Sequence, residues 1–198
     1  MLHRKYKLIN LKLSGLITGL LLISLSFMAA PRADETAYSL EVSKSSQELI
    51  VKEGEQIIKR FHIAIGRGGN GSKRQLGDNK TPTGTYKILD FNPNSRFHFF
   101  MLISYPNQVD AWHGYIDNLI DAKQFKQIIV ANRNNTLPPQ DTVLGGYIGL
   151  HGIGEITEEK LSIHKKENWT EGCIALTNEE ISELRNYVAV GTTIQIRE

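Results

Sequence analysis

The chain contains one cysteine, Cys173, within NWTEGCIALTN (168–178), and six histidines. A single thiol cannot close an internal disulfide, so Cys173 is either a small buried hydrophobe or a group kept for its reactivity. A cysteine nucleophile needs a base for its proton, donors for the developing oxyanion and a group that orients the base. Gly172 removes bulk beside the sulfur and lets consecutive backbone N–H groups converge on an oxyanion. His151 is placed as such a base. It ends the short apolar stretch GGYIGLHG (145–152), precedes Gly152 and lies 22 residues before Cys173. His164 is nearer in sequence but sits among charges in SIHKKEN, where a solvated loop residue is the plainer reading. His62 alternates outward on a strand, while His98 and His113 lie among aromatics (RFHFF, AWHGY) as packing or substrate-wall residues. His3 falls in the N-terminal stretch. These features put a Cys173–His151 dyad first and leave His164 as the rival base.

The elements that must hold such a pair are mostly strands. Period-two patterning marks 40–42, 48–52, 56–66, 84–90 and 99–105, with a hairpin turn at Gly54. Residues 117–132 suit either a helix capped by Asp117 or, through IIV, a strand. The segment 145–152 offers a short strand ending at His151. After the cysteine, Thr177 and Glu180 form a capping box, Ile181, Leu184 and Val188 make one apolar face, and Gly191 stops the helix. Residues 192–197 read as a last strand. The expectation is a single, mainly β domain over 38–197 with one or two short helices.

Residues 1–33 stand apart. Four basic residues (Arg4, Lys5, Lys7, Lys12) precede the uncharged run LSGLITGLLLISLSFMAA, and small residues follow, as in a secretory signal. An uncleaved membrane anchor is the alternative, since the run sits at the lower edge of spanning length. The segment carries five of the 23 basic residues and no acid, which leaves 18 basic against 21 acidic, a net of about −3. No basic stripe suited to nucleic acid remains. The expected location is therefore the periplasm or cell-wall space, with membrane contact only through residues 1–33.

GRGGNG (66–71) satisfies a dinucleotide-binding fingerprint literally. That motif works only if its last glycine opens a helix facing the pyrophosphate. SKRQLGDNKTPTG follows instead, so a mobile surface loop is the expectation.

IGLHG followed by WTEGCIALTN resembles the His–Gly and [Ser/Thr]-x-Gly-Cys signature of the L,D-transpeptidase (YkuD-type) catalytic domain. QIIKRFHIAIGRGG…NKTPTGTYKIL is similar to that domain's opening strands and its Thr-Pro-x-Gly turn (Thr81, Pro82, Gly84), and GTTIQI to its last strand. The resemblance implies an L,D-transpeptidase-like β-sandwich acting on peptidoglycan stem peptides as donor and acceptor, or joining them to a wall-attached protein. Cys173 would be nucleophile, His151 base and the Gly152 carbonyl its orienter, the pair poised as thiolate–imidazolium or nearly so. Gly172 and Cys173 N–H would form the oxyanion hole, and Trp169, Thr170, Glu171 and Ala175 would serve the substrate. Two positions depart from the family pattern. Glu171 stands where a basic residue is usual and is expected to face outward or toward the acceptor; Ala175 replaces a frequent Arg. No metal or cofactor is implied, because the histidines lack ligand spacing and the thiol is needed for attack. The rival readings are an L,D-carboxypeptidase or amide hydrolase of peptidoglycan peptides, and a non-catalytic wall-binding module.

Overall fold

The computed structural model describes residues 38–198, and the export or anchor segment expected at 1–33 lies outside them. The strands are β1 (Tyr38–Ser43), β2 (Glu48–Glu53), β3 (Gln56–His62), β4 (Gly84–Asn92), β5 (Phe100–Ile103), β6 (Gly149–His151), β7 (Ile174–Ala175) and β8 (Thr193–Arg197). Four helices accompany them: α1 (Gln108–Ile116), α2 (Ala122–Arg133), α3 (Glu158–Lys166) and α4 (Asn178–Leu184). The strands join in the order β3-β2-β1-β8-β4-β5-β6-β7. The β1–β8 and β6–β7 pairs are parallel and the others antiparallel.

Alternation does what the sequence requires of it. Leu40 and Val42, Leu49 and Val51, Tyr86 and Ile88, Met101 and Ile103, and Ile194 and Ile196 all turn into one core. Each such side chain stabilises the fold by about 1.5–3 kcal/mol through loss of apolar contact with water. The ladder slips between Ile88 and Asp90, where β4 leaves β8 and takes up β5. Such a bulge bends its strand, and the two parts of the sheet face each other across the core as the expected sandwich. Beyond β3, Ala64 bridges Ala175 and Gly66 bridges Thr170, so the two ends of the strand order touch.

The mainly β class matches the expectation, but the described residues hold four helices rather than one or two. Residues 122–133 are helical, and the cap is Asp121 paired with Gln124; Asp117 instead caps the C-terminus of α1. Neither α1 nor α3 carries a clean apolar period. Helix α1 is set by the Asn107–Asp110 capping box. Helix α3 is set by Thr157 at its cap, acids in its first turn and His164, Lys165 and Lys166 in its last, which complement the helix dipole. The Thr177–Glu180 box opens α4 as read. Among the described residues no helix is long and apolar enough to cross a membrane.

Residues 66–83 form no helix, but they are more firmly held than a mobile loop. Gly66 N–H donates to Thr81 Oγ1 (2.9 Å), Gly68 N–H to the Asn79 carbonyl (2.8 Å), and Lys44 Nζ to the Gly71 carbonyl (2.7 Å). Lys73, its side chain 2% exposed, pairs with Asp78 at 2.9 Å, and Asp78 also accepts backbone N–H groups of Arg74, Gln75 and Lys80. This loop forms one wall of the cleft described next.

Candidate active site

Cys173 stands at the end of a turn fixed from both sides. Asn168 Oδ1 accepts the Ile65 N–H (3.0 Å) and Gln47 Nε2–H (2.8 Å), and Thr170 N–H donates to the Ile65 carbonyl (3.2 Å). Thr170 Oγ1 donates to the Cys173 carbonyl (2.6 Å) and accepts the Gly172 N–H (3.2 Å). Gly172 has φ +134°, and a Cβ there would lie 2.8 Å from the Lys80 carbonyl oxygen, so only glycine fits. The part-exposed thiol donates to the Tyr147 carbonyl (3.5 Å). Burial pushes it up to about 11; the Gly149 N–H and the Lys73 cation pull it down, and Glu171 pushes it up.

His151 ends β6, opposite Phe100 of β5 and Ala175 of β7. Its Nδ1 lies 2.7 Å from the Gly152 carbonyl, which can only accept, so Nδ1 carries the proton and Nε2 is left as the base. The ring stacks on Phe97 (4.3 Å between centroids) and meets the edge of Trp169 (5.8 Å). Burial lowers its pKa below the ordinary 6.5; the bond to Gly152 opposes this, while His164 and Arg96 add to it. At Gly152 a Cβ would come 2.5 Å from Asn178 Oδ1 and 2.6 Å from the Phe97 carbonyl oxygen. Asn178, from the first turn of α4, holds the next turn by both its polar atoms, accepting Gly154 N–H (3.1 Å) and donating to the Gly154 carbonyl (2.7 Å).

Cys173 and His151 line one cleft of about 710 Å³ with Arg67, Lys73, Arg96, Phe97, Tyr147, Trp169 and Glu171 among its walls. Desolvation works against both charges of a thiolate–imidazolium pair. Burial on its own therefore favours a neutral thiol and a neutral imidazole over the charged pair expected above. Such a pair suits general-base chemistry, in which the proton leaves sulfur as sulfur attacks an acyl carbon. Among the described residues no group of three or more His, Cys, Asp or Glu side chains gathers as a metal site would.

The other expected residues divide. Trp169 forms part of the wall, and Glu171 faces outward, paired with Arg67 at 3.1 Å. Thr170 borders the cleft but is buried, and its hydroxyl fastens the turn. Ala175 is 0% exposed, hydrogen-bonded through its backbone to Ala64 inside the sheet, so it does not contact substrate. The Gly172 N–H is taken by Thr170, which leaves the Cys173 N–H as the free donor of the expected oxyanion pair, among the described residues. His164 is not a solvated loop residue: it is buried in α3 behind Trp169. Sequence reasoning missed Tyr147 and Gly149, which act through backbone atoms and leave no side-chain signature, and Lys73, which the loop fold brings in. His98, expected as a packing or substrate-wall residue, is exposed and bonds Ser182 (2.9 Å); its neighbour Phe97, not singled out in RFHFF, forms the wall instead.

The family model for the L,D-transpeptidase catalytic domain (YkuD) matches residues 37–196. The chain is 28% identical to YafK of Escherichia coli (strain K12) over 145 residues, 71% of this chain and 42% of that one. It therefore spans less than half the length of this curated relative. Two solved structures are alike in fold. The helical cell shape determining protein Pgp2 from Campylobacter jejuni has TM-score 0.52 and 22% identity over 83% of this chain and 49% of its own. Bdellovibrio bacteriovorus Bd1075 has TM-score 0.50 and 22% identity over 82% and 48%.

Proposed function

Because the chain belongs to the L,D-transpeptidase catalytic-domain (YkuD) family, we propose that it is an exported, cysteine-dependent acyltransferase of peptidoglycan stem peptides. The observation that carries this reading is the meeting, in one cleft, of the chain's sole thiol and an imidazole whose Nδ1–H is locked on the Gly152 carbonyl. Cys173 Sγ attacks the carbonyl that joins the third stem residue to a terminal D-Ala. His151 Nε2 takes the thiol proton and returns it to the departing amine as the C–N bond breaks, leaving a thioester. An amine of a second stem then attacks the thioester carbon, His151 takes its proton, and sulfur leaves as a thiol. The Cys173 N–H is the donor available to the oxyanion. Arg96 and Arg67, the latter shared with Glu171, stand on the walls and suit the carboxylates of such peptides. Pgp2 is described as a determinant of helical cell shape; a role in cell-wall organisation is proposed for this chain on the same ground.

Intact-mass measurement after exposure to a carbapenem tests the nucleophile, with a single adduct expected on Cys173. Failure of that adduct while a general thiol reagent reacts would favour a non-catalytic wall-binding module. Incubation with purified muropeptides then separates outcomes. New cross-links or attachments support transfer, whereas loss of D-Ala without cross-links indicates a carboxypeptidase.

A further inference from the structure

Trp169 is a partition between two hollows. On one side lies the cleft that holds His151 and Cys173; on the other, Phe97, Ile153, Lys160, Ile163 and Trp169 enclose an apolar hollow of about 260 Å³. The indole fixes its place by one polar contact, Nε1–H donating to His164 Nδ1 at 3.4 Å. That bond requires a bare Nδ1, so the His164 proton sits on Nε2. Nε2 is buried and has no hydrogen-bond partner among the described residues. An unpartnered buried donor costs about 1–3 kcal/mol, and such groups persist where another function retains them. Protonation would place hydrogen on both ring nitrogens, turn Nδ1 from acceptor to donor and set it against the indole N–H.

We propose that His164 is a positioning residue that holds Trp169 against His151 while its own imidazole is neutral, and lets it go when protonated. The hollow beyond Trp169 gives the released indole a place to move. Groups on three other elements bear on His164. His62 on β3 meets it edge-on at 6.0 Å, Glu180 on α4 attracts its charge, and His151 on β6 is opposed by that charge. Burial keeps His164 below the ordinary imidazole value, Glu180 opposes this and His62 adds to it. The release therefore falls on the acid side of neutrality. It removes the edge of Trp169 from His151, whose own pKa burial likewise lowers from 6.5, so two protonations act on the same base.

This inference rests on the proposed function only for its kinetic half; its optical half does not. Tryptophan fluorescence of the folded chain, titrated with acid, is expected to show a transition below pH 6.5 that loses its His164 component in His164→Asn. The Asn carbonyl accepts from the indole without titrating, so the variant keeps only what His151 contributes at the ring edge. An unchanged transition in His164→Asn would overturn the proposal. The acid limb of carbapenem acylation should steepen toward two protons in the wild type and relax to one in His164→Asn. Trp169→Phe, which keeps the ring and loses the N–H, should relax it likewise if the first variant folds poorly. A wild-type limb of one proton would count against the proposal. A fluorescence transition that depends on His164, with no acylation at any pH, would sink the transferase reading and leave this one standing.

Discussion

The hydroxyl of Thr170 is bound to the carbonyl of Cys173 at 2.6 Å while it accepts the N–H of Gly172 at 3.2 Å. One side chain therefore closes the turn that presents the sulfur. Thr170→Val keeps the shape and removes both bonds, leaving a buried N–H without a partner. A loss of about 1–3 kcal/mol in stability is expected from denaturant unfolding, with carbapenem acylation reduced more than iodoacetamide alkylation. Equal losses with both reagents would mean that the turn does not orient the thiol.

Cys173→Ser and His151→Ala should each abolish or nearly abolish the carbapenem adduct, a loss on the order of 100- to 10,000-fold for the missing base. Circular dichroism should remain that of the native fold. His164 cannot substitute as base, because its Nδ1 faces the Trp169 indole N–H. Labelling of His151→Ala at the wild-type rate would contradict that assignment.

The pH dependence follows from burial at both partners. His151 has a folded pKa below 6.5, so its neutral form dominates at neutral pH and acylation falls only as pH drops through that lowered value. By the same linkage its contribution to stability is present above pH 6.5 and is lost as pH falls through the folded pKa. Cys173 runs the other way. Its pKa is raised from 9.0 to about 11, so the associated stability is present below pH 9.0 and is lost as pH rises through about 11. Alkylation of Cys173 by iodoacetamide should climb with pH beyond 9.0, with no plateau near neutrality. A plateau beginning near pH 6 would instead signal a stable thiolate–imidazolium pair.

A second buried titration lies between α1 and β4. Asp110 accepts Tyr86 Oη–H (2.8 Å) and the Asn107 N–H (2.9 Å). Burial raises its pKa from 3.8 to about 6, against the pull of those two donors. Folding therefore favours the acid form, and stability is lost as pH rises through about 6. Tyr86→Phe removes a donor to the carboxylate and should cost about 1–3 kcal/mol at pH 8 and less at pH 5. Thermal melts at the two pH values check the sign; a larger penalty at pH 5 would refute it.

The strands were legible because alternate residues share one face and one core, and α4 because Thr177 and Glu180 announce its start. Cys173 and His151 were legible because the glycines beside them leave a local mark. Helix α3 was not, since its stability comes from a cap and from charges at its ends while only His164 among its nine residues is buried. That hid His164 as well, whose charged neighbours in the sequence point away from it. Tyr147 acts through its carbonyl, which any residue would supply. Lys73 required knowing how residues 66–83 fold back. Ala175 was misread because proximity to Cys173 in sequence does not keep a strand residue on the cleft side.

The place of β8 in the sheet has a consequence for the order of assembly. It lies between β1 and β4, pairing parallel with one and antiparallel with the other. Until residues 193–197 have been synthesised, the β1–β3 meander lacks the β8 ladder and meets the cleft segment through the short Ala64–Ala175 and Gly66–Thr170 bridges. Pairings so distant along the chain form slowly. During growth from the ribosome, therefore, the continuous ladder from β1 to β4 forms only after residues 193–197 emerge, and the sheet that backs the cleft is completed late.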